Sequence, residues 1–419
     1  MTYFKTIQLR SWRQFKAIDI EFSGGVTILT GRNGTGKTSI LNILAKHASH
    51  KLSFLGEPTQ RRDSAGRFTS GYWGGAHQVR KGYEKIGSIS YNNDLNTDVT
   101  VTRTDEKSFD VFLTDDVVLD VLNLSSHRRV PAYKEVGQIS TKPFSSKIAL
   151  QKYQAEQWTS MTGGISRNPP LLHMKEAIIS MAAFGPGNQY LAPNADAFDM
   201  FKEFESKLKE ILPKNIGFRK LKVEPPDVIL ETVSGNFLID ASSGGLMSLI
   251  DLTWEITLYS HGKEYFVVLL DEPENHLHPS MQREFLPALA DAFPGAQFIV
   301  ATHSPFVVSS VKSAKIYVFD VESSDDLHIS SFDYSASKNV VVSKEINPKD
   351  RKSASNVLRD VLGVPVSMPI WAEEELDRIL DDFSDSNFGP AEIRALKATL
   401  DERDLGDFLP EVVVKLSGS

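Results

Sequence analysis

Eight consecutive residues have the types and spacing to grip phosphate: Gly31, Arg32, Asn33, Gly34, Thr35, Gly36, Lys37 and Thr38. They satisfy the glycine-x4-glycine-lysine-threonine pattern, in which glycines let backbone amides wrap a row of phosphates. The lysine of such a loop reaches the β and γ phosphates, and the hydroxyl after it ligates magnesium. Asn33, Gly34, Thr35, Gly36, Lys37, Thr38 and Ser39 are therefore the predicted phosphate cradle, with Lys37 as the catalytic cation and Thr38 as a magnesium ligand. A chance match is disfavoured by the context. Val26 to Thr30 has strand composition, and Ile40, Leu41, Ile43 and Leu44 follow at helical spacing.

Three further groups suit the same chemistry. The apolar run Phe266 to Leu270 ends in Asp271 and Glu272, one carboxylate to orient magnesium and one to take a proton from attacking water. Asp271 is the predicted metal ligand and Glu272 the predicted general base. Ser242, Ser243, Gly244 and Gly245 stand just before a helix expected from Leu246 to Tyr259. The amides and hydroxyl of Ser243, Gly244 and Gly245, with the positive helix end, would converge on an anion. Thr302, His303, Ser304 and Pro305 follow another apolar strand, Gln297 to Thr302, so His303 is predicted to sense the γ phosphate.

To meet, these groups need a scaffold that brings strand ends to one edge. Apolar strands at Tyr265 to Leu270, Gln297 to Thr302 and Lys315 to Asp320 alternate with helices, which predicts a mostly parallel sheet covered on both faces. A helix is expected from Met281 to Phe293, kinked at Pro287. Residues 1–50 and 236–335 then form the two parts of an α/β head. Residues 51–235 read as an inserted α+β and helical subdomain, with strands near 86–91, 99–103 and 109–113 and helices near 148–161 and 197–212. Residues 336–419 read as a helical, acidic tail. No heptad pattern persists, so no long coiled coil is expected.

Composition narrows the classes. The 419 residues are 41% hydrophobic, enough for a large core. No run of eighteen apolar residues and no leader-like N-terminus is visible, so the expectation is a cytoplasmic protein without a membrane span. The absence of cysteine excludes disulfides, thiolate zinc sites and a cysteine nucleophile. A net charge of −8 opposes bulk attraction to nucleic acid, leaving it to local clusters. Those clusters are Arg61, Arg62 and Arg67; Arg80, Lys81 and Lys85; Arg128 and Arg129; and Lys214, Arg219, Lys220 and Lys222. Each reads first as a solvated face.

Taken together, Thr2 to Lys46 and Asp240 to Asp320 resemble the ABC-type ATPase superfamily of P-loop NTPases, within its RecF, SMC and OLD branch. The string Asp271, Glu272, Pro273, Glu274, Asn275, His276, Leu277, His278, Pro279 is especially similar to OLD and Septu-type defence ATPases. The resemblance implies ATP with Mg2+ as the nucleotide and cofactor, and an ATP-sandwich dimer, with a higher oligomer left open. It implies that Ser242 to Leu246 is a signature loop, although this sequence lacks the usual first leucine and last glutamine. It also implies that Arg13, in the opening segment Arg10 to Phe15, lies near the nucleotide. The stretch containing His276 and His278 corresponds to the D-loop, which crosses the dimer interface, and this is preferred to metal ligation by the two histidines. Gln78, Gln138 and Gln151 are equal candidates for the glutamine loop.

Two functions fit the resemblance. One is the sensor or regulatory ATPase of an antiphage system akin to Septu, PARIS or retron ATPases, acting on a separate effector such as an HNH or TOPRIM nuclease. The other is a RecF-like repair ATPase that binds DNA directly. A transporter motor lacks the Glu-x-His-Leu-His-Pro string. No TOPRIM set follows Asp320, because Asp381 and Asp382 sit in a helical pattern with Leu376, Ile379 and Leu380, and no His-Asn-His pattern is present. The chain is accordingly expected to lack nuclease activity.

Overall fold

The computed structural model describes residues 2–48, 53–62, 68–73, 83–102, 107–125, 133–142, 144–161, 168–323, 339–346, 357–358, 370–383, 390–403 and 405–409. The first strands are β1 (Phe4–Trp12), β2 (Phe15–Glu21), β3 (Val26–Gly31), β4 (Phe54–Leu55), β5 (Glu57–Arg62) and β6 (Phe68–Trp73). Next come β7 (Tyr83–Tyr91), β8 (Asn96–Thr102), β9 (Ser108–Phe109), β10 (Val111–Leu113) and β11 (Val121–Leu124). A hairpin sheet of β12 (Phe218–Glu224), β13 (Asp227–Thr232) and β14 (Gly235–Leu238) precedes β15 (Phe266–Asp271), β16 (Ala296–Ala301), β17 (Lys315–Ser323) and β18 (Asn339–Glu345). The helices of this unit are α1 (Lys37–Leu44), α2 (Ser146–Met161), α3 (Pro170–Phe184), α4 (Ala195–Ile211), α5 (Gly244–Ser260), α6 (Pro279–Ala292) and the short α7 (Pro305–Val308).

Eleven strands form one sheet in the order β10-β8-β7-β1-β2-β18-β17-β3-β16-β15-β11. The half from β17 to β11 is parallel throughout, and the half from β10 to β2 is an antiparallel meander. Burial explains the division. Every residue of β3 and β16 is buried, as expected for central strands covered on both faces. In β1 and β2 buried Ile7, Leu9, Ile18 and Ile20 are interleaved with exposed Gln8, Arg10 and Asp19, so one face meets solvent.

The head's sheet reaches into the stretch 51–235 that the sequence suggested as an insertion. β7, β8 and β10 extend the antiparallel half, and β11 forms the parallel edge beside β15. Outside that sheet stand the two-stranded pairs β4-β9 and β5-β6 and the helical group α2, α3 and α4, of which α2 and α4 pack on α5 and α3 and α4 carry the hairpin sheet. α4 presents Met200, Phe201, Phe204, Leu208 and Ile211 from one face, and Asn194 caps it by accepting from the Ala197 amide at 3.2 Å. α5 is buried on nearly every side, as a helix between the sheet and this group must be. α6 does run through Pro287.

The chain divides into two compact units, Met1–Ala354 and Ser355–Ser419. β18 belongs to the first, so the tail unit begins after it rather than at 336. In the second unit, helices Ile370–Phe383 and Pro390–Glu402 bury Ala372, Leu376, Ile379, Leu396, Leu400 and Leu405 in a small core. Asp381 and Asp382 lie within the first of these helices.

Candidate nucleotide site

β3 delivers the chain to Gly31 at the carboxyl edge of the parallel half, where the loop turns into α1. Gly36, the residue before that helix, has φ 92°, a left-handed conformation natural to glycine. A side chain there would also run into the Phe15 ring and lie 2.7 Å from the Gln14 amide nitrogen. The β1–β2 turn therefore leans on the phosphate loop. Arg13 sits in that turn at φ 53°, its guanidinium 5.9 Å from the Trp12 ring centre. Within the loop, Thr35 donates its hydroxyl hydrogen to the Arg32 carbonyl at 2.9 Å. The Lys37 ammonium donates to the carbonyls of Gly31 at 3.0 Å and Arg32 at 2.9 Å.

Strand register sets the rest of the site. Asp271 of β15 is level with Ala301 of β16, which is level with Leu29 of β3. The ends of three adjacent strands thus lie side by side. Thr38 donates its hydroxyl hydrogen to Asp271 Oδ1 at 3.2 Å, an oxygen pair that suits a hard divalent cation. Among the described residues no group of three or more His, Cys, Asp or Glu could hold a metal. Magnesium held here would draw its remaining ligands from phosphate and water, as that ion commonly does. The residues fit the nucleotide and cation that the motif requires.

Glu272 follows with φ 44°, unusual for a non-glycine residue, and its amide donates to the Ala301 carbonyl at 2.8 Å. Its carboxylate is 3.4 Å from His303 Nε2 and accepts from the Asn275 side chain at 3.3 Å. Burial pulls Lys37 down to about 8, opposed by Glu272, then Asp271, then Glu274. Burial also lowers His303, with the Lys37 ammonium acting in the same direction and Glu272 against it, so the imidazole is neutral at pH 7. A neutral imidazole carries one donor and one acceptor nitrogen.

Lys37, Thr38, Asp271, Glu272 and His303 are thus brought together. Ser243, Gly244 and Gly245 form the start of α5, which Ser243 caps by accepting from the Leu246 amide at 3.4 Å. This end packs on the 272–279 loop of the same chain: a side chain at Gly245 would lie 2.9 Å from the His276 carbonyl. His278 caps α6, its Nδ1 accepting from the Ser280 amide at 3.3 Å. Among the glutamine-loop candidates, Gln138 and Gln151 are exposed and Gln78 lies outside the described residues. Of the basic clusters, Lys85 pairs with Asp98, Lys220 with Glu231 and Lys222 with Glu224. Arg67, Arg80, Lys81, Arg128 and Arg129 lie outside the described residues, as do the side chains of Arg61 and Arg62.

Three residues near this edge escaped the sequence reading: Gln14, Glu274 and Gln282. Their partners lie on other elements, so no local spacing betrays them. Only the position of Glu274, inside the acidic string after β15, was a signal.

The parallel sheet, the phosphate loop between β3 and α1, and the carboxylate pair ending β15 have the form of a P-loop nucleotide-binding head, and the chain is similar to ABC-type ATPases. It resembles the ATPases of antiphage defence systems. Residues 6–211 match a family described as "AAA domain", and residues 140–309 match one described as "AAA domain, putative AbiEii toxin, Type IV TA system". A similar relative is "Retron Ec83 probable ATPase" of Escherichia coli, 23% identical over 383 residues, spanning 74% of this chain and 70% of that one. "Septu protein PtuA" of Bacillus mycoides (strain KBAB4) is 22% identical, spanning 75% of this chain but 40% of its own length. Among solved structures, an SMC head bound to the C-terminal winged-helix domain of ScpA aligns with a TM-score of 0.43 and 15% identity, over 83% of this chain and 99% of that one.

Proposed function

We propose that this chain binds and hydrolyses ATP with magnesium, and that it is the sensor or regulatory ATPase of an antiphage defence complex whose effector is a separate protein. The observation that carries the ATPase reading is the meeting of Lys37, the Thr38–Asp271 pair and the Glu272–His303 pair at the ends of three neighbouring parallel strands. The defence reading rests on the names of the relatives.

In this reading the amides of Asn33 to Ser39 and the Lys37 ammonium hold the β and γ phosphates. Magnesium, bound by Thr38 and Asp271, would neutralise charge developing on the phosphate oxygens. Glu272 orients the attacking water and takes its proton, while His303 keeps a hydrogen bond on the γ phosphate. A second copy closes the site with Ser243, Gly244 and Gly245, the positive end of its α5 facing the phosphate. Lys85, Lys220 and Lys222 are paired with acids, which lowers the charge those three would offer to DNA. No described helix is long and apolar enough to cross a membrane. We place the protein in the cytoplasm, where ATP is available, and assign nuclease activity to the effector.

The test is ATP turnover by the purified chain, alongside the Lys37→Ala variant, which should fold yet lose nucleotide binding. Tight ATP binding by that folded variant would refute the phosphate-loop assignment. The same preparations, incubated with duplex DNA, single strands and tRNA, should leave them intact. Cleavage that disappears on mutating a residue of this chain would overturn the separate-effector reading.

A further inference from the structure

Glu274 is buried, at 6% exposure, and has no part in the chemistry proposed above. Its Oε1 accepts from three donors in succession at the end of β16: the Thr302 hydroxyl, the His303 amide at 3.2 Å and the Ser304 amide at 3.3 Å. Past Ala301 the chain leaves the sheet, so the amides of His303 and Ser304 lose their ladder partners. Buried amides need an acceptor, and this carboxyl supplies one. The Glu274 carbonyl, meanwhile, accepts from the Leu277 amide at 2.9 Å, closing the 272–279 loop.

A second tie runs in parallel. The Ser304 hydroxyl donates to Gln282 at 2.6 Å, and the Gln282 amide group donates to the Leu277 carbonyl at 2.9 Å. The histidine segment is thus fastened twice to the loop that carries Glu272, and that loop abuts Gly245 at the start of α5.

We propose that Glu274 is a positioning residue, which clamps the main chain of Thr302 to Ser304 onto the 272–279 loop so that His303 and Glu272 face one phosphate together. The inference rests on the ATPase reading. The other carboxyl oxygen, Oε2, is buried and has no hydrogen-bond partner among the described residues. Burial favours the protonated acid there, against the donors on the other oxygen. One acceptor oxygen is therefore what the clamp uses, and a glutamine carbonyl can replace it.

The experiment compares Glu274→Gln and Glu274→Ala with wild type for kcat, KM, ATP affinity, melting temperature and the pH titration of the His303 ring protons by NMR. Glu274→Gln should keep kcat and the His303 titration close to wild type. Glu274→Ala should lose about a hundredfold in kcat with little change in ATP affinity, as misplacing catalytic groups by an ångström can cost that much. Its His303 titration should move toward the ordinary imidazole value. Should the alanine variant fail to fold, Thr302→Val, which at nearly constant shape deletes one donor to Glu274 and the hydroxyl oxygen that accepts from the Ser304 amide at 2.9 Å, should lower kcat in the same direction. Full activity and an unmoved His303 titration in Glu274→Ala, or in Thr302→Val if that variant stands in for it, would overturn the proposal. So would a glutamine variant as inactive as alanine, which would point to proton transfer instead. A wild-type protein without turnover would refute the ATPase reading, while the His303 titrations would still test the clamp.

Discussion

Lys37 is held by two carbonyls of its own loop and lies close enough to neutral for nucleotide binding to change its charge. Burial lowers it to about 8 in the free protein, and ATP phosphates beside it would raise it again. Binding should therefore take up part of a proton per site near pH 8.5, and little from this group at pH 6.5, where Lys37 is already charged. Calorimetry in buffers of different ionisation enthalpy reads this directly, and equal uptake at both values would contradict it. For Glu272, replacement by glutamine removes the proposed proton acceptor while preserving shape. Glu272→Gln should bind ATP, hydrolyse it at least about a hundredfold more slowly in line with general-base losses, and accumulate as an ATP-dependent dimer. Wild-type turnover would remove Glu272 from the role of base.

At the scale of elements, the start of α5 is tied to α3 by a buried charge. Lys175 of α3 is fully buried and pairs with Asp240 at 2.9 Å and Asp227 at 3.5 Å. It also donates to the Lys134 carbonyl at 2.8 Å. Asp240 lies in the short turn Ile239–Ala241 that leads into Ser242 to Gly245, so this pair fixes where α5 begins. Lys175→Met would fill the same space but strand the buried Asp240 carboxylate, which for a buried pair costs about 3–5 kcal/mol. Urea unfolding should show that loss, and Asp240→Asn in the same chain should recover part of it. Unchanged stability would mean that water reaches these groups. Further along, Asp251 and Glu255 of α5 are buried too, accepting from Tyr153 at 2.5 Å and Gln154 at 3.1 Å of α2. Such pairs give α2 a specific register on α5 that apolar contact alone would leave loose.

For the whole molecule, the proposed sandwich makes each site from two chains. Gly245→Asp is a poor probe of this, because its side chain would press on the His276 carbonyl of its own chain. Ser243 is exposed, and aspartate there keeps the helix cap while adding a negative charge toward the partner's γ phosphate. Lys37→Ala and Ser243→Asp should each be inactive alone. A mixed dimer of the two contains one site with both the lysine and the serine intact and should keep about half the turnover, since the site acts through local electrostatics. Verified mixed dimers with no activity would count against the head-to-tail arrangement.

The phosphate loop, the β15 carboxylates and His303 were readable from the chain because their chemistry demands fixed residue types within a few positions, each next to an apolar strand. Strands β15, β16 and β17 and helix α5 were legible for a related reason, as burial on both faces writes a continuous apolar run. Strand order was not. Nothing in Val121–Leu124 says that it pairs with β15, and nothing in 83–113 says that it extends the sheet beyond β1, because pairing between distant segments leaves no period in either one. The same holds for side chains whose roles come from their partners: Gln14 against Gly36, Lys175 against Asp240, and Glu274 against Thr302, His303 and Ser304. Local spacing specifies which groups can do chemistry. Only the packed sheet, by aligning the ends of β3, β16 and β15, decides which of them meet, since a hydrogen bond needs its two atoms within about 3 Å however far apart they lie in the chain.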